Sequence, residues 1–170
     1  TCYTPYQPEI SQGTLQAIFE FQTMICRLTG MPIANASMYD GATATAEAAL
    51  MAQRLAGPKA QKILIASSIA PDYRSVVSTF LKGHSSKAEE VGFKGDGTID
   101  RDSLIQRTKQ GDVSAVIVGY PNYFGIVEPL DEIKKCLPAG CLLIAAVADP
   151  SALSIFEAPG HLGADLVVGE

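Results

Sequence analysis

Two acidic residues stand where they could do chemistry. Asp40 opens the run Asp40-Gly41-Ala42-Thr43-Ala44-Thr45-Ala46-Glu47, which continues as an alanine-rich stretch to Leu55. Asp is a preferred N-cap because its carboxylate accepts from the free N–H groups of a first helical turn. Alanine is the strongest helix former, so a helix starting at Gly41 is expected. The small residues Gly41 and Ala42 leave N–H groups of that turn open to the outside, and Thr43 offers a spare hydroxyl. A helix start of this kind can hold an anion, typically a phosphate. The same residues also read as an ordinary capped helix packed on a sheet. The second acid is Asp149. It follows eight uncharged residues, 141–148, at the end of an apolar strand pattern. A carboxylate there is expected to be desolvated and to need a cation, a metal or a proton donor such as a pyridinium N–H. A cap onto Ser151 is the alternative.

The elements that must position these acids follow from periodicity. Residues 1–13 carry Pro5 and Pro8, which forbid a regular helix and leave an extended or turn-like arm presenting Tyr3, Tyr6 and Gln7. Residues 14–29 repeat apolar side chains at three and four residue steps (Leu15, Ile18, Phe19, Ile25, Cys26), with Gly30 as the stop. Phe21, Met24 and Leu28 widen that apolar surface, which suggests burial on more than one side, either against a partner or against missing chain, with core packing as the plainer reason for any one of them. Residues 62–66, 87–93, 113–119, 141–148 and 165–169 read as strands, the fourth the longest. Residues 71–81, 100–108 and 129–138 read as the helices between them. Pro71 suits a first helical turn, but Ala70 before it can neither cap nor bind.

Helix and strand alternate from Lys62 onward, and the strands are continuously apolar. That pattern predicts a three-layer α/β/α fold around a mostly parallel sheet. Ligands in such sheets gather beyond the C-terminal strand ends, which here carry Ser67, Ser68, Asn122 and Asp149. The start of the Gly41 helix could face the same edge.

The chain has 170 residues, 47% of them hydrophobic and 18% charged, with a net charge of -5. This suits one domain with a real core and argues against a nucleic-acid groove. No apolar run reaches the ~20 residues of a membrane helix. Four cysteines (Cys2, Cys26, Cys136, Cys141) and two histidines (His84, His161) make neither a redox motif nor a metal set, and a reducing cytoplasm fits them best. Cys26 and Cys141 read as core thiols. No Gly-x-Gly-x-x-Gly or Walker A pattern supports a dinucleotide or triphosphate site. The absence of an initial Met, and a close directly after a strand signal, lead us to expect a segment of a longer polypeptide.

Several blocks together resemble a known family. They are Thr4-Pro-Tyr-Gln-Pro-Glu-Ile-Ser-Gln-Gly13, Gln22-Thr-Met-Ile-Cys26, Ala34-Asn-Ala-Ser-Met-Tyr-Asp-Gly-Ala-Thr43, Pro121-Asn-Tyr-Phe-Gly125, Val147-Ala-Asp-Pro150 and Gly163-Ala-Asp-Leu-Val-Val-Gly169. They resemble the glycine dehydrogenase (decarboxylating) family, the P-protein of the glycine cleavage system, in the first subunit of its two-subunit bacterial form. The resemblance implies the fold of aspartate aminotransferase (fold type I), with residues 14–170 as part of the large domain and 1–13 as the arm. It implies pyridoxal 5'-phosphate, glycine as substrate, and transfer of the aminomethyl group to the lipoyl arm of the H-protein. It places Asp40, Gly41, Ala42 and Thr43 at the cofactor phosphate and Asp149 at the pyridine nitrogen. Tyr3 and Gln12 would belong to the substrate wall.

Two departures qualify that expectation. The family's ring-stacking histidine falls at Ala70, and alanine cannot stack on a ring. The Schiff-base lysine is expected in a second, beta subunit, in a heterotetramer, so no catalytic residue is expected within this chain. The alternatives are a structural or interaction subunit of the same fold that has lost cofactor binding, and another fold type I enzyme acting on a different amino acid.

Overall fold

The apolar runs at Lys62–Ala66 (β1), Val113–Gly119 (β3) and Leu142–Val147 (β4) form the middle of a five-stranded sheet in the computed structural model, which describes residues 5–84 and 86–170. Lys87–Val91 (β2) and Leu166–Gly169 (β5) are the edges, and the order is β2-β1-β3-β4-β5 with every pair parallel. Successive side chains of a strand point to opposite faces, so each buried strand feeds two cores. Ile63 and Ile65 join one cluster with Ile117 and Ile144. Leu64 joins the other with Val116, Val118 and Leu143.

Helices Gly41–Ala56 (α2) and Pro71–Leu81 (α3) cover the first face. Helices Arg101–Thr108 (α4) and Leu130–Cys136 (α5) cover the second through Leu104, Leu130 and Ile133. The result is a three-layer α/β/α architecture. α2 lies across β3, β4 and β5 and packs along α3. Its alanines let the helix axis approach the sheet closely, and Ala46, Ala49 and Ala52 have no exposed surface.

Helix Gln12–Thr29 (α1) departs from the core-packing reading of its apolar residues. Only Thr29 is buried on it, while Phe19 is 67% and Met24 60% exposed. An apolar stripe records that a helix has a face to cover but not which chain covers it. The C-terminal end of α1 is tied down: Gly30 closes it at φ 71°, and the Gly160 N–H donates to the Thr29 carbonyl at 2.9 Å. The arm follows the turn-like of its two readings, but it is shorter than expected. Pro8–Ile10 forms a short 3-10 turn, and α1 starts at Gln12 rather than Thr14. A proline at a helix start loses no hydrogen bond, because its missing N–H would be unpaired there.

Two further expectations need correction. The longest strand is β3, because Cys141 belongs to the turn before β4 and Ala148 is already exposed beyond it. Cys26 is only half-buried on the thinly covered α1, whereas Cys141 is buried and desolvation pushes its thiol up to about 11. Among the described residues no helix is long and apolar enough to cross a membrane, and none of their His, Cys, Asp and Glu side chains form a metal-sized group of three.

Candidate functional site

Strand order reverses between β1 and β3, and such a switch point opens a crevice beyond the strand ends. One bank is built by Ile69, Ala70 and Tyr73, where β1 passes into α3. Pro121, Asn122 and Tyr123, after β3, build the other bank, and Ala146 and Ala148 lie beneath. The Tyr120-Pro121 bond is cis.

The start of α2 confirms Asp40 as its cap. Thr43 N–H donates to Asp40 Oδ1 at 2.7 Å, and the Thr43 hydroxyl donates to Oδ2 at 2.9 Å. These bonds, with the Thr43 backbone first, hold the Asp40 carboxyl below its usual range. The Thr43 hydroxyl is therefore engaged by its own cap and is not spare. Gly41 and Ala42 are both buried. Gly41 has a second constraint, because a Cβ there would run into the Tyr73 hydroxyl.

That hydroxyl leads to a residue sequence reasoning missed. Glu170 accepts from Gly41 N–H through Oε2 at 3.2 Å and from Tyr73 OH through Oε1 at 3.2 Å. Burial, then the charge of Glu170, raises the Tyr73 phenol well above its ordinary value. The N-terminus of α2 thus does receive an anion, as its unpaired N–H groups and dipole favour, and the carboxylate of Glu170 stands in that place. No local signal links positions 41 and 170.

Asp149 lies at the C-terminal end of β4 as expected, but it is not desolvated. It is exposed and accepts from Ser151 N–H at 2.9 Å, capping the 3-10 turn Pro150–Ser154. Its hydrogen bonds from Ser151, side chain before backbone, hold the carboxyl below its usual range. The chain after Asp149 turns outward instead of folding back over it. Ala70 borders the crevice and precedes α3 without capping it.

The other polar groups of this edge face inward. Ser67 Oγ donates to Val91 O at 3.0 Å. Asn122 is saturated: its amide donates to Gly97 O and Glu128 Oε1, both at 2.9 Å, and its carbonyl accepts from Phe124 and Ile126 N–H groups. Glu128, only 1% exposed, is the second residue missed. Its one sequence cue is an acid set between Ile126-Val127 and Pro129-Leu130.

No lysine lines the crevice. Lys62 pairs with Asp112 at 2.8 Å, at the strands' opposite end, and Lys134 pairs with Asp165 at 2.5 Å. Gln12 donates to Pro8 O at 2.7 Å and does not line the crevice. Tyr3 lies outside the described residues.

A parallel sheet covered by helices on both faces defines a class of fold, and solved structures share it. The chain superposes on the glycine decarboxylase (P-protein) of the glycine cleavage system, in inhibitor-bound form, with a TM-score of 0.87 and 42% identity, over 100% of this chain and 37% of that one. L-threonine transaldolase from Pseudomonas fluorescens shares the fold at a TM-score of 0.67 and 20% identity, over 98% of this chain and 38% of its own. The fold is that of the fold type I pyridoxal-phosphate-dependent transferases. Within that class, residues 1–170 match the glycine cleavage system P-protein family throughout, and the chain belongs to it. It is 50% identical to the probable glycine dehydrogenase (decarboxylating) subunit 1 of Anaeromyxobacter dehalogenans over 99% of this chain, and spans 38% of that relative's length.

Proposed function

We propose that the chain is part of a glycine decarboxylase of the two-subunit kind, working in the bacterial cytoplasm. It pairs with a second, lysine-bearing subunit. The enzyme removes carbon dioxide from glycine and passes the remaining aminomethyl group to the lipoyl arm of the H-protein. The match to the P-protein family over residues 1–170 carries this reading. Pyridoxal phosphate, when bound, supplies the sink for the electrons released as the carboxylate leaves.

The residues of the chain suit that group at two points. Gly41 and Ala42, at a helix terminus that already receives the Glu170 carboxylate, would hold the phosphate once Glu170 gives way. Asp40 and Thr43 would keep that turn in shape. Asp149, exposed beyond β4 and with its carboxyl held below its usual range by the bonds it accepts from Ser151, would accept the N–H of the pyridine ring. Tyr3 and Gln12 would enter as part of a wall completed in the assembled enzyme. A non-catalytic structural or interaction subunit is the second reading. It is favoured by Ala70, which has no ring to stack on the cofactor, and by the Glu170 carboxylate in the anion place.

Absorbance-monitored binding of pyridoxal phosphate by the full-length subunit mixed with its lysine-bearing partner separates the two. Binding by the wild-type pair is expected, with a shifted absorbance and a fall of about 100-fold or more in glycine decarboxylation for Asp149→Asn. Absence of binding by the unmutated pair would sink the catalytic reading. Unchanged activity in the variant would remove Asp149 from the site.

A further inference from the structure

Glu128 gathers three connections into one point. Its Oε1 accepts from Ser68 Oγ at 3.3 Å, in the loop after β1, and from Asn122 Nδ2 at 2.9 Å, in the loop after β3. Both its oxygens accept from Ile99 N–H, at 3.2 and 3.1 Å, in the segment after β2. These loops leave the C-terminal ends of three adjacent strands. Neighbouring bonds tighten the join: Tyr123 N–H donates to Ser68 O at 2.7 Å, and Asn122 Nδ2 reaches Gly97 O.

The place of this knot matters more than its strength. Ser68 directly precedes Ile69 and Ala70, which form one bank of the crevice, and Asn122 belongs to the other bank. A buried carboxyl group is a poor way to gain stability, because a well-packed apolar side chain does as well or better. What it supplies is direction. Acceptors at one fixed point set where several donors, and the loops carrying them, must stand.

We propose that Glu128 is a positioning residue for the reaction at this crevice, acting through Ser68 and Asn122 to fix the separation of its two banks. The inference rests on the glycine decarboxylase reading above. Small errors in such spacing are costly, since a displacement of ~1 Å in a reacting group can lower rate by about 100-fold.

The test uses the full-length subunit assembled with its lysine-bearing partner, as wild type, Glu128→Gln and the milder Ser68→Ala. Glu128→Gln keeps the volume but turns one acceptor into a donor that faces other donors. Hydrogen exchange is expected to rise about ten-fold or more at the amides of Ile99, Tyr123, Phe124 and Ile126, with β3 and β4 unchanged. In steady-state assays kcat/KM for glycine is expected to fall about ten-fold for Glu128→Gln and about three-fold for Ser68→Ala, with kcat falling more than KM rises. Wild-type exchange at those four amides overturns the clamp. Accelerated exchange with kinetics within about two-fold of wild type overturns its part in the reaction. If Glu128→Gln does not assemble, Ser68→Ala carries the same comparison. An inactive wild-type pair overturns the glycine reading instead, and the exchange result alone then decides the clamp.

Discussion

Glu128 and Asp149 both follow a strand at the same edge of the sheet, after β3 and β4 respectively, yet their surroundings are opposite. Glu128 is 1% exposed and receives donors from three loops, while Asp149 is exposed and caps its own 3-10 turn. The uncharged run before Asp149 suggested a desolvated carboxylate there, whereas the alternative of a cap onto Ser151 is what forms. What decides burial is the direction taken afterwards. The chain beyond Glu128 turns back through Leu130 onto the second core, whereas the chain beyond Asp149 turns out through Pro150 and Ser151. An acid that the fold closes over becomes an organiser of loops, and one left open stays available to whatever docks above it.

The contrast can be broken by unfolding measurements on the full-length subunit. Glu128→Ala leaves the Ile99 N–H and the Asn122 amide short of an acceptor in a buried place, and is expected to lower stability by about 3 kcal/mol. Asp149→Ala, which uncovers nothing buried, is expected to leave the denaturation midpoint close to wild type. Equal losses in both variants would end the distinction.

A smaller effect sharpens the view of the neighbouring anion place. Gly41→Ala sets a methyl group against the Tyr73 hydroxyl and is expected to cost about 2 kcal/mol, and less in a Tyr73→Phe background, as a double-mutant cycle would show.

The smallest effect is in acid. Asp40 and Asp149 have folded values below the ordinary 3.8, so their contribution is fully present above 3.8 and lost as pH falls through the lowered folded values. Thermal melts from about pH 5 downward should show the loss, and Asp149→Asn should flatten part of it.

Local chemistry was the legible part of the sequence. The Asp40 cap, the Gly30 stop, Pro71 at the start of α3 and the bounds of β1 and β3 depend on neighbours a few residues away, and each stands where the residues suggested. Alternation of helix and strand was enough for the layers and the parallel sheet. Long-range partnership was not legible. Glu170 meets Gly41 across 129 positions, and Glu128 meets Ser68 across 60. The exposed face of α1 belongs to the same class of failure, since an apolar stripe does not name what covers it. Thr43 is different: its hydroxyl lay within reach of the carboxylate of its own cap, and treating it as spare overlooked a local bond.

The place of β1 in the strand order bears on how the protein is made. β1 is flanked by β2 and β3, and its Ile63 pairs with Ala115. A growing chain that has emerged only as far as Asp112 holds β1 and β2 but not β3, so the edge of β1 that β3 covers is still open. Open apolar edges recruit other chains, and distant pairings form slowly. That edge of β1 stays open until β3 has emerged, and the outer edge of β3 stays open until β4 follows, so exposed apolar edges favour association with other chains through this interval.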